Sequence, residues 1–324
     1  MKLADLYHNM GLIHYQQGRY ETARHVLQCG VDVLIANRAS SIPLDVEVYE
    51  RTTDPFDEDY SNPYFACAPS RLLPLLPTVD EAAPHLSNAA LLLAAELILA
   101  QGKILAAQGL WRDTKLFSGR VLQWSAFQKQ RLDNSCFRYQ NQQYATEQHN
   151  LYWKEWGPII ARAQVLFARC CEKEFRPDIA MGYYREALSV QQNILSPDHV
   201  QAADTLYRMG NLHANSGLLG LAGQCYDDAL CLYRRHKNQS HESCLCADEA
   251  TALAALGWIF LVQNDLERAL ALTNEALDGM VQVLGSSHRN VLSVQHQLLC
   301  VQNALAFQAR YEQPRIPVQA LPIY

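Results

Sequence analysis

The sequence predicts an all-α protein, an α-α superhelix of antiparallel helix hairpins stacked in a row. Two observations predict it. Leu206, Met209, Gly210, His213, Gly217, Leu219, Ala222, Tyr226 and Ala229 recur in register as Leu253, Leu256, Gly257, Phe260, Asn264, Leu266, Ala269, Thr273 and Ala276. Self-similarity at a period of a few tens of residues marks a solenoid whose units bury their apolar faces on each other. The second observation is local. Leu206, Met209, Leu212 and His213 keep helical spacing, Asn215-Ser216-Gly217 supplies a turn, and a second helix follows from Leu219 to Arg235.

Taken in order, residues 1–38 read as a first hairpin, with Tyr7, Met10, Gly11, His14, Gly18, Tyr20, Ala23, Leu27 and Gly30 in the same phase. Residues 39–85 break the pattern. Six prolines between Ala39 and Ala83 (Pro43, Pro55, Pro63, Pro69, Pro74, Pro77) and the acidic run Asp54-Pro55-Phe56-Asp57-Glu58-Asp59-Tyr60 predict a loop, since proline removes helix donors. Residues 86–128 form a degenerate hairpin on Ile98, Gly102, Leu105, Gly109, Trp111 and Val121, with Thr114 and Ser118 as poor matches. The Asn-, Gln- and Tyr-rich stretch 129–157 is expected to extend a helix and turn back. Residues 158–312 hold three units, the first on Phe167, Ala168, Cys171, Ala180, Tyr184 and Ala187 with Phe175 at the turn, and a closing helix from Asn290 to Arg310. The tail 313–324, with Pro314, Pro317 and Pro322, is expected to be loose.

The small residues have a mechanical reason. Helix axes in a hairpin lie ~8–10 Å apart only where a small side chain sits at the crossing, so Gly11, Ala23, Gly210, Ala222, Ala229, Gly257, Ala269 and Ala276 are expected to be packing positions. This order of bulky and small residues resembles the tetratricopeptide repeat. The connectors Ser196-Pro197-Asp198-His199 and Leu284-Gly285-Ser286-Ser287-His288-Arg289-Asn290-Val291 are similar to those of kinesin light chain-like repeats, whose unit is longer. Spacing agrees, since Ala168 and Gly210 stand 42 positions apart and Gly210 and Gly257 47. Arg289 replaces the proline of that connector, and no heptad coiled coil occurs in the chain, so a motor-subunit role is not implied.

Composition narrows the task. A net charge of −6 gives no general basic field for nucleic acid or an anionic membrane. The apolar stretch Ala89–Ala100, interrupted by Glu96, is expected to be a buried helix and not a membrane insertion. Asp5 and His8 interrupt what a signal peptide would need, and the ten cysteines then read as reduced thiols, which points to the cytoplasm.

No G-x-S-x-G elbow, H-E-x-x-H pair, Walker loop or strand-borne G-x-G-x-x-G is present, so a non-enzymatic protein without cofactor is expected. His236, His241, Cys244 and Cys246 are the strongest metal candidates, which leaves a zinc-binding regulatory module in the 236–246 linker as an alternative. A C-x-C pair bends poorly onto two tetrahedral corners, and the preferred reading has no metal. Cys170-Cys171 is expected to place one thiol in the core.

What remains is a surface. The resemblance implies that the first helix of each hairpin lines a concave groove that binds a peptide or helix of another protein. By phase, Asn9, Tyr207, Arg208, Asn211, Asn215 and Trp258 face that groove: Arg208, Asn211 and Asn215 for polar bonds to an extended peptide, Tyr207 and Trp258 for flat apolar contact. The chaperone-tail clamp of some tetratricopeptide domains is not implied, because His8, Tyr207 and Ala254 stand where it needs a lysine and only Asn211 fits its asparagine. A second reading is a self-associating assembly subunit, a homo-oligomer formed through an uncovered end of the array or through Leu292, Val294, Leu298 and Val301 of the last helix.

Overall fold

The computed structural model describes residues 2–39, 87–139, 142–195, 199–240 and 246–312. The acidic run, the whole 241–245 part of the linker and the tail from 313 lie outside them. Eleven α-helices make up the described chain, without strands among the described residues, so the all-α expectation is met. The chain forms two compact units, Met1–Ala187 and Leu188–Tyr324.

In the first unit α1 (Lys2–Gln16) and α2 (Tyr20–Ala39) form one hairpin, α3 (Asn88–Ala107) and α4 (Trp111–Tyr139) a second, and α5 (Gln142–Lys173) with α6 (Pro177–Val190) a third. A π-turn, Gln191–Leu195, follows. In the second unit α7 (Val200–Asn215) pairs with α8 (Leu219–Ser240) and α9 (Cys246–Val262) with α10 (Leu266–Leu284), before a closing α11 (Arg289–Glu312).

One geometry recurs in all five hairpins. Seven residues after the small position the backbone turns through positive φ, at Gly18, Gly109, Phe175, Gly217 and Asn264. Each turn then sends the second helix back over the small residue. A Cβ on Gly11 would stand 2.5 Å from Leu27, on Gly210 2.5 Å from Tyr226, and on Gly257 2.8 Å from Thr273 Oγ1, always sixteen residues on. Gly102 is less tight, its nearest neighbour being Phe117 at 3.6 Å. Ala23, Ala222, Ala229, Ala269 and Ala276 are fully buried.

Thr114 and Ser118, the poor matches of the second hairpin, are buried without conflict. Thr114 Oγ1 donates to the carbonyl of Leu110 at 2.9 Å and Ser118 Oγ to that of Thr114 at 2.9 Å. A hydroxyl satisfied by its own helix packs as a small residue. Thr273 does the same to Ala269 at 2.7 Å.

A second face also repeats. Ala94, Leu97, Gln101 and Ile104 of α3 are buried, as are Ala202, Thr205, Met209 and Leu212 of α7 and Glu249, Ala252, Leu256 and Ile259 of α9. In α3 this face meets the preceding hairpin, where Leu97 reaches Gly30 and Gln101 Nε2 donates to Gln28 at 3.4 Å.

Three segments gain detail from the structure. The described residues of 129–157 belong to α4 and α5, two long helices held by Tyr152 Oη donating to Ser125 O at 2.8 Å, Lys129 over the Trp153 ring and the buried Trp124 and Trp156. The apolar stretch at Ala89 is a full 20-residue helix, long and apolar enough by composition to cross a membrane, yet 78% of its most apolar window is buried in the protein core. Cys170 and Cys171 are both buried, and burial pushes the Cys170 thiol up to about 12, where it is unreactive.

Candidate protein-binding face

Five of the six predicted groove residues fall in the second unit. Asn9 lies exposed on α1 in the first. Its neighbourhood there is polar: His8 is half-buried, with Asp5, Glu96, Arg162 and Lys103 within electrostatic range, and burial holds its imidazole below the usual histidine pKa. Arg162 closes an ion pair onto Glu96.

In the second unit the first helices of the hairpins, α7 and α9, present Tyr207, Arg208, Asn211 and Asn215 on one and Trp258 on the other. Their spacing follows from the buried face opposite. With Met209, Gly210 and Leu212 turned into the core, Arg208 and Asn211 are left partly open, and burial of Leu256, Gly257 and Ile259 leaves Trp258 outside.

The polar members are engaged within the protein. Arg208 Nε donates to Asp204 Oδ2 at 3.1 Å, one helical turn earlier. Asn211 Oδ1 accepts from Tyr226 Oη at 2.8 Å. The rings of Tyr207 and Tyr226 lie 5.6 Å apart. Asn211 therefore fixes Tyr226, which forms the wall over Gly210, and burial raises the Tyr207 hydroxyl's pKa. Asn215 is exposed at the end of α7.

The apolar members are open. Trp258 is 49% exposed and Val262, one turn on, 51%. Thr251 and Ala255 continue the same stripe toward the start of α9 and are half-buried. Ala254, on the adjoining face, is covered by α11, where Gln297 Nε2 donates to its carbonyl at 2.8 Å. That contact brings α11 alongside α9 and leaves Leu292, Leu299 and Phe307 exposed, whereas Val294 and Val301 are buried and Leu298 half-buried. The last helix thus opens on one face, and not through Val294 or Val301.

Several supporting residues carry no obvious sequence signal. Glu249, almost wholly buried, accepts from Arg234 Nε at 3.0 Å and Lys237 Nζ at 3.3 Å, and Arg234 Nη2 reaches Glu275 at 2.8 Å, so one network ties α8 to α9 and α10. The connector histidines are caps. His199 Nδ1 accepts the Gln201 N–H at 3.2 Å and His288 Nδ1 the Asn290 N–H at 3.2 Å, each satisfying an orphan donor at a helix start. Their shared place before a helix is the signal that could have found them.

Among the described residues no three His, Cys, Asp or Glu side chains converge as metal ligands. His241 and Cys244 of the zinc alternative, and the acidic run at Asp54, lie outside the described residues.

Residues 3–28, the first hairpin, match the tetratricopeptide repeat family. No curated protein matches the chain. Among solved structures it is similar to BtubC (BKLC) from P. vanneervenii, at 16% identity and a TM-score of 0.46, over 73% of this chain and 89% of that one. It is also similar to a putative kinesin light chain of Podosopora anserina with nearly identical TPR-like repeats, at 13% identity and a TM-score of 0.37, over 66% and 98%. The Q17M form of the latter gives 13% and 0.40 over 64% and 89%. The family match is confined to the first hairpin, and a small residue followed seven positions later by a left-handed turn recurs in the four hairpins after it.

Proposed function

We propose that the protein is a non-enzymatic scaffold that holds a peptide or helix of a partner protein on the open face of α7, α9 and α11. The observation that carries the reading is Trp258, an indole nearly half exposed with Val262 beside it on a helix whose other faces are packed. Exposed tryptophan at the centre of an ordered surface is the residue type that dominates interface energetics. Tyr207, packed on the Tyr226 ring, and Arg208, paired with Asp204, supply a rigid polar margin. Rigid anchors lose little entropy on binding, which favours recognition over chance contact.

The experiment compares proteins retained by the wild type with those retained by Trp258→Ala and by Arg208→Glu. Trp258 is nearly half exposed and Arg208 partly open, and folding of both variants is checked by circular dichroism. Loss of the same partner from both supports the face. Retention of every partner by both removes it from consideration.

A further inference from the structure

The first helix carries a stripe that no other first helix leaves open. Leu3 is 49% exposed, Leu6 53%, Met10 38% and Ile13 53%. These four occupy, relative to Gly11, the places that Ala94, Leu97, Gln101 and Ile104 of α3 hold relative to Gly102, and that face of α3 is buried against the preceding hairpin. The corresponding faces of α7 and α9 are closed too. The stripe on α1 is therefore half of a helix-packing interface, shaped to receive another helix and with none in place among the described residues.

Its spacing suits a second copy of the same helix. Intervals of three, four and three residues repeat a two-position heptad seam and read the same in both directions along the helix. A copy related by a two-fold axis passing near His8 then sets Leu3 against the partner copy's Ile13 and Leu6 against its Met10, apolar on apolar at each contact. No charge interrupts the seam. Lys2 and Asp5, the charged residues of α1, flank it, and the two-fold axis brings neither against a like charge: Lys2 comes beside the second copy's His14, Asp5 beside its Gly11. Such an isologous contact closes on itself, so it limits assembly to two chains.

We propose that two copies of the chain pair through α1, antiparallel, on the Leu3–Leu6–Met10–Ile13 seam. The seam is about three turns long, and one helix pair buries well under the ~1,200 Å² of a permanent interface, so the dimer is a reversible one that forms with rising concentration.

The test is the molar mass of the full chain by light scattering and sedimentation, from low to high micromolar concentration. The wild type should move from monomer to dimer and no further. Leu6→Glu should raise the dissociation constant at least tenfold with an unchanged far-ultraviolet spectrum, since Leu6 is half exposed. Because Leu6 faces the partner copy's Met10, adding Met10→Lys to Leu6→Glu should restore pairing. A wild type that stays monomeric throughout, or a dimer indifferent to Leu6→Glu, overturns the proposal. Association lost in Leu299→Glu on α11 but kept in Leu6→Glu also overturns it, in favour of a contact through the last helix.

Discussion

Adding one methyl group at two glycines of the second unit should change stability in opposite directions. Gly223, in α8, has open space where its Cβ would stand. Gly223→Ala should therefore gain the helix-propensity difference alone, about 1 kcal/mol. Gly210→Ala gains the same term, but its Cβ would lie 2.5 Å from Tyr226 Cε1 and 2.7 Å from Cδ1. The ring is buried and its hydroxyl is tied to Asn211, so it can move only by breaking that bond and shifting α8. Overpacking of this kind costs ~1–3 kcal/mol and the hydrogen bond a further ~1 kcal/mol. The net effect is a loss of about 1–3 kcal/mol, against a gain of about 1 at Gly223. Urea unfolding followed by circular dichroism measures both as shifts of the midpoint. If Gly210→Ala stabilises as much as Gly223→Ala, the hairpin crossing does not require a glycine and the packing account fails.

Phe175 occupies the turn position that glycine or asparagine fills in the other four hairpins, at φ 59° and 92% exposed, so Phe175→Gly should raise stability by roughly 0.5–1 kcal/mol; a fall in the thermal midpoint would contradict this. Glu249→Gln leaves Arg234 and Lys237 short of a carboxylate and should cost about 1–2 kcal/mol, nearly independent of salt because the group is buried; a strongly salt-dependent loss in denaturation would refute that. Two histidines should respond to pH with opposite sign. Hydrogen bonds to Ala145 O and Asp133 raise the His149 pKa, so its clasp between α4 and α5 is fully present below pH 6.5 and lost as pH rises through the folded value above it. Burial lowers the His199 pKa, so its cap on α7 is present above 6.5 and lost as pH falls through the folded value below it. Hydrogen exchange at the α4–α5 tip and the first turn of α7 reads both, and His149→Gln and His199→Asn should flatten the respective profiles.

Much of the hairpin geometry was legible because it depends on side-chain size at fixed intervals. Gly210 and Gly257 each announce a crossing, and Gly217 or Asn264 seven residues later a left-handed turn, since few residues adopt that backbone. Thr114, Ser118 and Phe175 read as faults in the pattern for the same reason: residue type alone does not show that a hydroxyl is bonded back to its own helix or that a phenylalanine accepts the turn. The candidate face was legible in phase and not in partnership. Asn211 was read as a residue turned to a partner, whereas the fold shows its amide oxygen spent on Tyr226.

By itself, then, the sequence determined which residues must be small, where each hairpin turns and which helix faces point outward, because these follow from periodicity along one chain. The tertiary structure decided what each outward face meets. The same four positions are core on α3 and open on α1, with the difference lying in whether a neighbouring helix is there to remove them from water.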